Sequence, residues 1–277
     1  MLISYAVCTH DEWQFYKLAN SIIKSINNFQ SLTKKLDIDF EFVILNDGSN
    51  EGFIESLQKI VNTNDFTRLF FQSFRNDFAL QKNVLNNNCL GDWIVNLDAD
   101  EYFSDGMMLS IPFMILENPQ VEAYRVPRIN TVSRLTQRHV DKWKWNISSF
   151  DGFTEECPLK KSSEPYQFLI DKNLLLSERP SREGDFGLTS VLGCSAPSNI
   201  DDYLTVSYKL PVVNYPDYQT RIYKNSKKIY WKGKVHEQLV GFDSFATMPQ
   251  GIEFSIRHHK DISRQEKQNE LYERLQS

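Results

Sequence analysis

The chain has 277 residues, of which 41% are hydrophobic and 24% are charged, and its formal net charge is −5. This composition is typical of a globular protein and excludes a disordered or fibrous one. No apolar run reaches the roughly 18 residues needed to span a bilayer, and residues 1–6 are expected to begin a first strand, not a signal peptide. The four cysteines show no zinc-type or redox-type spacing, which predicts reduced thiols and a cytoplasmic location.

The first half of the sequence alternates strands and helices. Short apolar runs predict strands over 2–8, 40–45, 69–74 and 93–97. Between them, apolar residues at helical spacing predict helices over 18–29, 53–61 and 77–90. Such alternation predicts an α/β fold with a mainly parallel, Rossmann-like sheet and helices on both faces. Ligands of these sheets bind at the carboxyl ends of the strands.

The second half of the sequence is less regular. Strands are predicted over 123–129 and 203–213, and a terminal helix over about 263–276. The stretch from about 148 to 197 is rich in Ser, Gly, Pro and charged residues, which predicts loops with little regular structure.

Two carboxylates follow the fourth predicted strand, in Asp98-Ala99-Asp100. Residues one apart on an extended backbone place their side chains on the same side. Carboxylates are the ligands that Mg²⁺ and Mn²⁺ prefer, and such an ion neutralises the charge of a leaving diphosphate. A solvated acidic turn is the alternative for this motif taken alone.

A polar turn also follows the second predicted strand, at Asn46-Asp47-Gly48-Ser49. The Asp47 carboxylate would accept the N–H of a uracil ring, and Gly48 permits a tight turn. The alternative is an ordinary strand-to-helix turn that caps the next helix.

Taken together, these clusters resemble the family-2 glycosyltransferases of the GT-A fold over most of the chain. Six ordered segments carry the resemblance: THDE at 9–12, NDGS at 46–49, DFALQKN at 77–83, GDWI with DADE at 91–101, PDYQTRIYKN at 216–225, and WKGKVHE at 231–237. The chain departs from the family pattern at Asn46, where an Asp is usual, and at Lys82, where an Arg is usual. Lysine lacks the bidentate fork of arginine.

The resemblance implies a GT-A fold and a UDP-type nucleotide-sugar donor with Mn²⁺ or Mg²⁺. The chain would then comprise a nucleotide-sugar-binding half at 1–108 and an acceptor-binding and catalytic half at 109–277. The implied donor-binding residues are Thr9, Asp11 and Asp47 for the nucleoside, Lys82 for the diphosphate, and Asp98 with Ala99 at the strand end. The implied metal ligands are Asp98 and, more directly, Asp100.

A late histidine and a carboxylate complete the implied site. His236 is the first candidate for a further metal ligand and His258 the second. An inverting single displacement needs a carboxylate to take the acceptor's proton, and Glu237 is the leading candidate. The alternatives for the base are Glu183, Asp185, Glu155 and Glu156, and His236-Glu237 would otherwise be a buried pair that braces its loop.

The acceptor is less defined. The stretches at 121–145 and 221–234 each hold six basic residues, interleaved with aromatic ones. That pattern suits nucleic acid or an anionic saccharide, and also a solvated basic face whose aromatic rings pack inward. We expect a saccharide or surface glycan, with a modified base in phage-type DNA as the alternative. A non-catalytic nucleotide- or sugar-binding module is the rival of another class, whereas a phosphoryl-transfer enzyme would need a Gly-rich loop that the sequence lacks.

Overall fold

The computed structural model of the protein describes residues 1–33, 36–186 and 199–276. In that part of the chain the helices are α1 Gln14–Thr33, α2 Glu51–Thr63, α3 Phe78–Asn87, α4 Asp105–Glu117, α5 Gln137–Trp143, α6 Glu164–Asp171 and α7 Ile262–Gln276. The strands are β1 Leu2–Thr9, β2 Asp39–Asn46, β3 Thr67–Phe71, β4 Trp93–Asp98, β5 Glu101–Tyr102, β6 Ala123–Ser133, β7 Ile147–Ser148, β8 Thr154–Lys160, β9 Leu175–Pro180, β10 Tyr203–Lys209, β11 Val212–Lys224, β12 Tyr230–Lys232, β13 Gln238–Val240, β14 Phe245–Thr247 and β15 Ile256–Asp261.

The main sheet has the strand order β3-β2-β1-β4-β11-β6-β15-β5. Strands β3, β2, β1 and β4 are mutually parallel, whereas β11 runs antiparallel to β4. Their parallel pairing places the carboxyl ends of β2, β1 and β4 at one edge. The predicted α/β fold with a largely parallel sheet is therefore confirmed.

Helices cover both faces of this sheet. Alternate residues of β1 enter two clusters: Ile3, Tyr5 and Val7 pack with α1, α2 and α4, whereas Ala6 packs with α3. Strands β2 and β4 divide their apolar residues in the same way. Apolar side chains on both faces explain why these strands are mostly hydrophobic in the sequence instead of alternating.

The chain divides into two compact units at boundaries other than the predicted halves. The first unit comprises 1–128, 216–258 and 268–277, and the second comprises 129–215 and 259–267. The second unit contains a three-stranded antiparallel sheet, β8-β10-β9, with its own apolar core.

The prediction of loops from about 148 to 197 is wrong for the described residues, because β8, α6 and β9 lie there. On β8, Cys157 and Leu159 are buried at alternate positions between exposed polar residues, and pairing with β10 supplies the partner strand. Helix α6 begins at the N-cap Ser163, followed by a proline in its first turn. Residues 187–198 lie outside the described chain.

No helix in the described ranges is both long and apolar enough to cross a membrane. Cys8, Cys89 and Cys157 carry free thiols. Cys194 lies outside the described residues.

Candidate functional site

The ends of β1 and β2 form the first part of the site. Thr9 and Asn46 are partners in the parallel register, and both are buried. The Thr9 carbonyl accepts the Asp47 N–H at 3.2 Å, which joins the two strand tips. The Asn46 side chain accepts from the N–H groups of Gly48 and Ser49, both at 3.2 Å. Asn46 therefore shapes the turn, and Gly48, at φ +105°, supplies its left-handed backbone.

The two acidic residues predicted for the nucleoside lie in these turns. Asp11 accepts from the backbone and side chain of Asn50 at 3.0 and 2.8 Å, so it links the two turns. Asp47 contacts Nδ1 of His10 at 2.7 Å. Burial outweighs this histidine and raises the pKa of the Asp47 carboxyl. The nucleoside contacts of Thr9, Asp11 and Asp47 remain predictions.

Asp98, at the end of β4, is held by two cations. Lys82 Nζ lies 2.9 Å from its Oδ1, and the Arg221 guanidinium binds its Oδ2. Burial opposes the charged carboxylate, but Arg221 and Lys82 outweigh it and hold the pKa of Asp98 well below the usual range. Both oxygens of Asp98 thus contact cations of the chain, an arrangement that fits a residue that orients Lys82. The predicted role of Asp98 as a metal ligand stays a prediction.

The contacts continue inward from Asp98. Arg221 Nη2 and Arg128 Nη1 each lie 2.7 Å from Oε1 of Glu101, which is fully buried. Arg128 also binds Asp217 at 2.7 Å. On the other side of Asp98, Lys82 also contacts the carboxylate of Glu237. Seven side chains therefore form a continuous chain of contacts, called the buried ion-pair network: Glu237, Lys82, Asp98, Arg221, Glu101, Arg128 and Asp217. No role in the donor site was predicted for Glu101, Arg128, Arg221 or Asp217, although all but Arg128 lie within the family motifs.

Glu237 reaches this site from the WKGKVHE segment. Its Oε1 lies 2.7 Å from Lys82 Nζ, and the same ammonium lies 4.6 Å from the centre of the Trp231 ring. Two residues of this segment have a left-handed backbone conformation, Gly233 at φ +104° and His236 at φ +54°. Ala99, the residue between the two aspartates, is buried in the apolar core. The catalytic role of Glu237 and the donor contact of Ala99 remain predictions.

The second aspartate of the pair contacts a histidine. Oδ2 of Asp100 lies 3.4 Å from Nε2 of His258, and both side chains are largely buried. His236 instead packs its ring edge-on to Tyr272, with 5.2 Å between the ring centres. The structure therefore pairs Asp100 with the second histidine candidate. The metal-binding role of His236 stays a prediction.

Asp100 and His258 are the pair of side chains at this strand end that suits a divalent cation. In the described ranges, no three His, Cys, Asp or Glu side chains gather as a complete metal site. Mg²⁺ is commonly held by one or two carboxylates together with substrate phosphates and water. Asp100 and His258 fit such a partial site, in which the remaining oxygens come from a diphosphate.

The other candidate bases belong to the second unit. Asp185 accepts both Arg179 guanidinium N–H groups, at 2.6 and 2.8 Å, and also the Thr205 hydroxyl at 2.8 Å. Hydrogen bonds, chiefly from Arg179, hold the pKa of Asp185 below its usual range, which makes it a poor base. Glu156 pairs with the same arginine. Glu155 accepts the hydroxyl groups of Ser133 and Tyr208, each at 2.6 Å. Glu183 lies in a short 3₁₀ helix.

The basic stretches are partly engaged within the chain. Arg128 and Arg221 belong to the buried ion-pair network, and Lys228 binds two carboxylates at 2.9 and 2.6 Å. Trp143 and Trp145 pack against the core of the second unit. Several of the cations proposed for a nucleic acid are therefore already paired with acids.

The polar residues of the site gather at the carboxyl ends of parallel strands, which is where open α/β sheets bind their ligands. The chain belongs to the family described as "Glycosyl transferase family 2", whose sequence model matches residues 4–176, more than half of the chain. This match confirms the predicted family and the predicted class of enzyme.

Solved structures also resemble the chain. Residues 1–349 of S. aureus TarS align with a TM-score of 0.48 and 12% identity, covering 92% of this chain and 60% of that one. The same fragment with UDP-GlcNAc gives a TM-score of 0.44, again with 12% identity and coverage of 92% and 60%. The mannosyltransferase PcManGT from Pyrobaculum calidifontis, solved with GDP-Man and Mn²⁺, gives 0.32 with 18% identity, covering 46% of this chain and 35% of that one. The chain thus spans less than two thirds of each of these proteins. No curated protein matches the sequence.

Proposed function

We propose that the protein is a metal-dependent, inverting glycosyltransferase that moves a sugar from a UDP-type donor to a hydroxyl group of a saccharide or glycan. The observation that carries this proposal is the meeting of Lys82, Asp98 and Glu237 beside the Asp98–Asp100 strand end. Membership of glycosyl transferase family 2 supports the same reaction class.

Residues at the carboxyl ends of the strands would bind different parts of the donor. Thr9, Asp11 and Asp47 would contact the nucleoside at the ends of β1 and β2, and Lys82 would contact the diphosphate. Burial disfavours the Lys82 ammonium, but the carboxylates of Asp98 and Glu237 together outweigh it and raise the pKa of Lys82, so the side chain stays a cation. Buried charges are screened poorly, so Lys82 can attract a diphosphate, although its own partners Asp98 and Glu237 oppose that attraction.

Asp100 and His258 would hold the divalent ion. When bound, the ion supplies positive charge that stabilises the leaving diphosphate. Asp98 would keep Lys82 directed toward the same group. Arg221 would in turn fix Asp98.

Glu237 would act as the general base. The acceptor oxygen attacks the anomeric carbon while its proton passes to Glu237, and the bond from that carbon to the diphosphate breaks with its electron pair leaving on the diphosphate. Since Glu237 and the donor's diphosphate both bind Lys82, donor binding would draw the ammonium away from Glu237. The carboxylate would then be available to the acceptor.

Of the two acceptor classes, we propose a saccharide. The internal pairing of Arg128, Arg221 and Lys228 weakens the case for a nucleic acid. The scattered cysteines support a cytoplasmic location.

Donor binding can be tested by thermal shift and calorimetry with UDP-sugars in the presence and absence of Mn²⁺. A ligand at 100 times its Kd stabilises the folded protein by about 2.7 kcal/mol. We expect Mn²⁺-dependent stabilisation and release of UDP in the wild type, and neither in Asp100→Ala. The matched control is Asp105→Ala, at an exposed aspartate that pairs with Lys24. Equal metal-dependent binding by Asp100→Ala would overturn the metal assignment.

The base is tested by single-turnover kinetics. Glu237→Gln should retain donor binding and lose about 10² to 10⁴ in turnover. Asp185→Asn, Glu155→Gln, Glu156→Gln and Glu183→Gln should keep most of it. If one of these four variants shows the large loss instead, Glu237 is not the base.

A further inference from the structure

A tyrosine of the terminal helix α7 lies against the proposed site. The Tyr272 ring packs edge-on to His236 at 5.2 Å and to Phe78 at 5.9 Å between ring centres. His236 is the neighbour of Glu237 in the chain. Phe78 lies one turn before Lys82 on α3, so both point to the same face of that helix. Tyr272 is therefore bracketed by the two segments that carry Lys82 and Glu237.

The hydroxyl group of Tyr272 is not explained by this packing. It accepts a hydrogen bond from Gln268, one turn earlier on α7, at 2.6 Å. Within the described chain, no acceptor takes its own proton. Burial raises the pKa of Tyr272 to about 12, and the carboxylates of Glu237, Asp98 and Asp100 add to the effect. The group thus remains a neutral O–H donor close to three carboxylates.

We propose that Tyr272 is a donor-binding residue whose hydroxyl group donates a hydrogen bond to the diphosphate of the nucleotide sugar. This inference rests on the proposed function, since it assigns a further contact in the same site. A diphosphate oxygen is the acceptor that suits this position, because the diphosphate is expected beside Lys82 and the Asp98–Asp100 strand end, and the carboxylates of Asp98 and Asp100 act on the Tyr272 hydroxyl group. Gln268 positions the hydroxyl oxygen, which leaves its proton to the ligand.

The test compares Tyr272→Phe with the wild type in calorimetric titrations of UDP and of UMP with Mn²⁺. Phenylalanine keeps the ring contacts with His236 and Phe78 and removes only the hydroxyl group. A hydrogen bond to a charged group predicts an increase of about tenfold to a hundredfold in the Kd for UDP, with a much smaller change for UMP. The KM for the donor sugar should rise in parallel, and the melting temperature of the unliganded protein should stay within about 2 °C of the wild type.

The matched control is Tyr166→Phe, which removes a hydroxyl group that donates to Glu178 at 2.7 Å in the second unit. It should leave the Kd for UDP unchanged. An unchanged Kd for UDP in Tyr272→Phe would overturn the inference, and equal weakening of UDP and UMP would move the contact away from the diphosphate and overturn it as well. Failure of the wild type to bind any UDP-type ligand would instead refute the proposed function.

Discussion

Glu101 offers the sharpest test of the buried ion-pair network. It is fully buried, and one of its carboxylate oxygens contacts two guanidinium groups, from Arg128 and Arg221, each at 2.7 Å. Its other oxygen accepts the Asp98 N–H at 3.2 Å. Glu101→Gln keeps the size of the side chain and removes the charge, so two buried arginines lose a shared counter-ion. Removing one partner of a buried pair costs about 3–5 kcal/mol.

We expect a value near the lower end of that range, because the Arg128 side chain is 19% exposed and keeps Asp217. A loss of about 3 kcal/mol corresponds to a decrease of about 6–12 °C in melting temperature for a protein of this size. Urea unfolding and calorimetry measure it, with Glu117→Gln on the exposed end of α4 as the matched control, expected within about 0.5 kcal/mol. If Glu101→Gln lowers the free energy of unfolding no more than the control does, the network does not contribute to stability in the way that its burial indicates.

Three further substitutions test single positions at the two ends of the parallel strands. Gly91→Ala should destabilise the protein by about 1–3 kcal/mol, because its Cβ would lie 2.5 Å from Ser4 Oγ, whereas the control Gly106→Ala meets nothing closer than 3.9 Å; urea midpoints compare the two. Asp98 has a lowered pKa, so its carboxylate stabilises the folded protein above about pH 4, and this stabilisation is lost as pH falls toward the pKa of the folded state. The free energy of unfolding, measured from pH 7 to about pH 3, should show this loss in the wild type and a flatter pH profile in Asp98→Asn. Asp47 has a raised pKa, so its contribution to the free energy of unfolding is present at low pH and is lost as pH rises through that pKa. Asp47→Asn should therefore gain stability relative to the wild type over the same rise in pH. A relative gain confined to lower pH would contradict the assignment.

Local sequence patterns predicted the part of the fold that depends on local burial. The strand β4 is apolar from Trp93 to Leu97 except at Asn96 because both of its faces are covered, and the Asp98–Asp100 turn follows at its carboxyl end. The same patterns predicted β1, β2 and their polar turns, with strand bounds that differ from the structure by at most one residue.

Contacts between distant residues could not be predicted from such patterns. Arg221 lies 120 residues from Glu101 in the sequence, and neither hydropathy nor spacing indicates that they pair. Asp98 illustrates the consequence: the motif predicted a metal ligand, and only the tertiary structure shows two cations on its oxygens. Likewise, β8 carries charged residues on its outer face, so the sequence resembles a loop until β10 is placed beside it.

The charges of the site give a physical reason for metal dependence. The buried ion-pair network holds three cations, Lys82, Arg221 and Arg128, against four carboxylates. Its balance is therefore −1, and the adjacent carboxylate of Asp100 makes the site more negative. A diphosphate entering such a site meets repulsion from charges that water screens poorly. Asp100 and His258 would hold a divalent ion, whose positive charge would offset that repulsion. The affinity for UDP should therefore fall steeply when a chelator removes the ion. An affinity for UDP that chelation leaves unchanged would show that Lys82 alone neutralises the diphosphate.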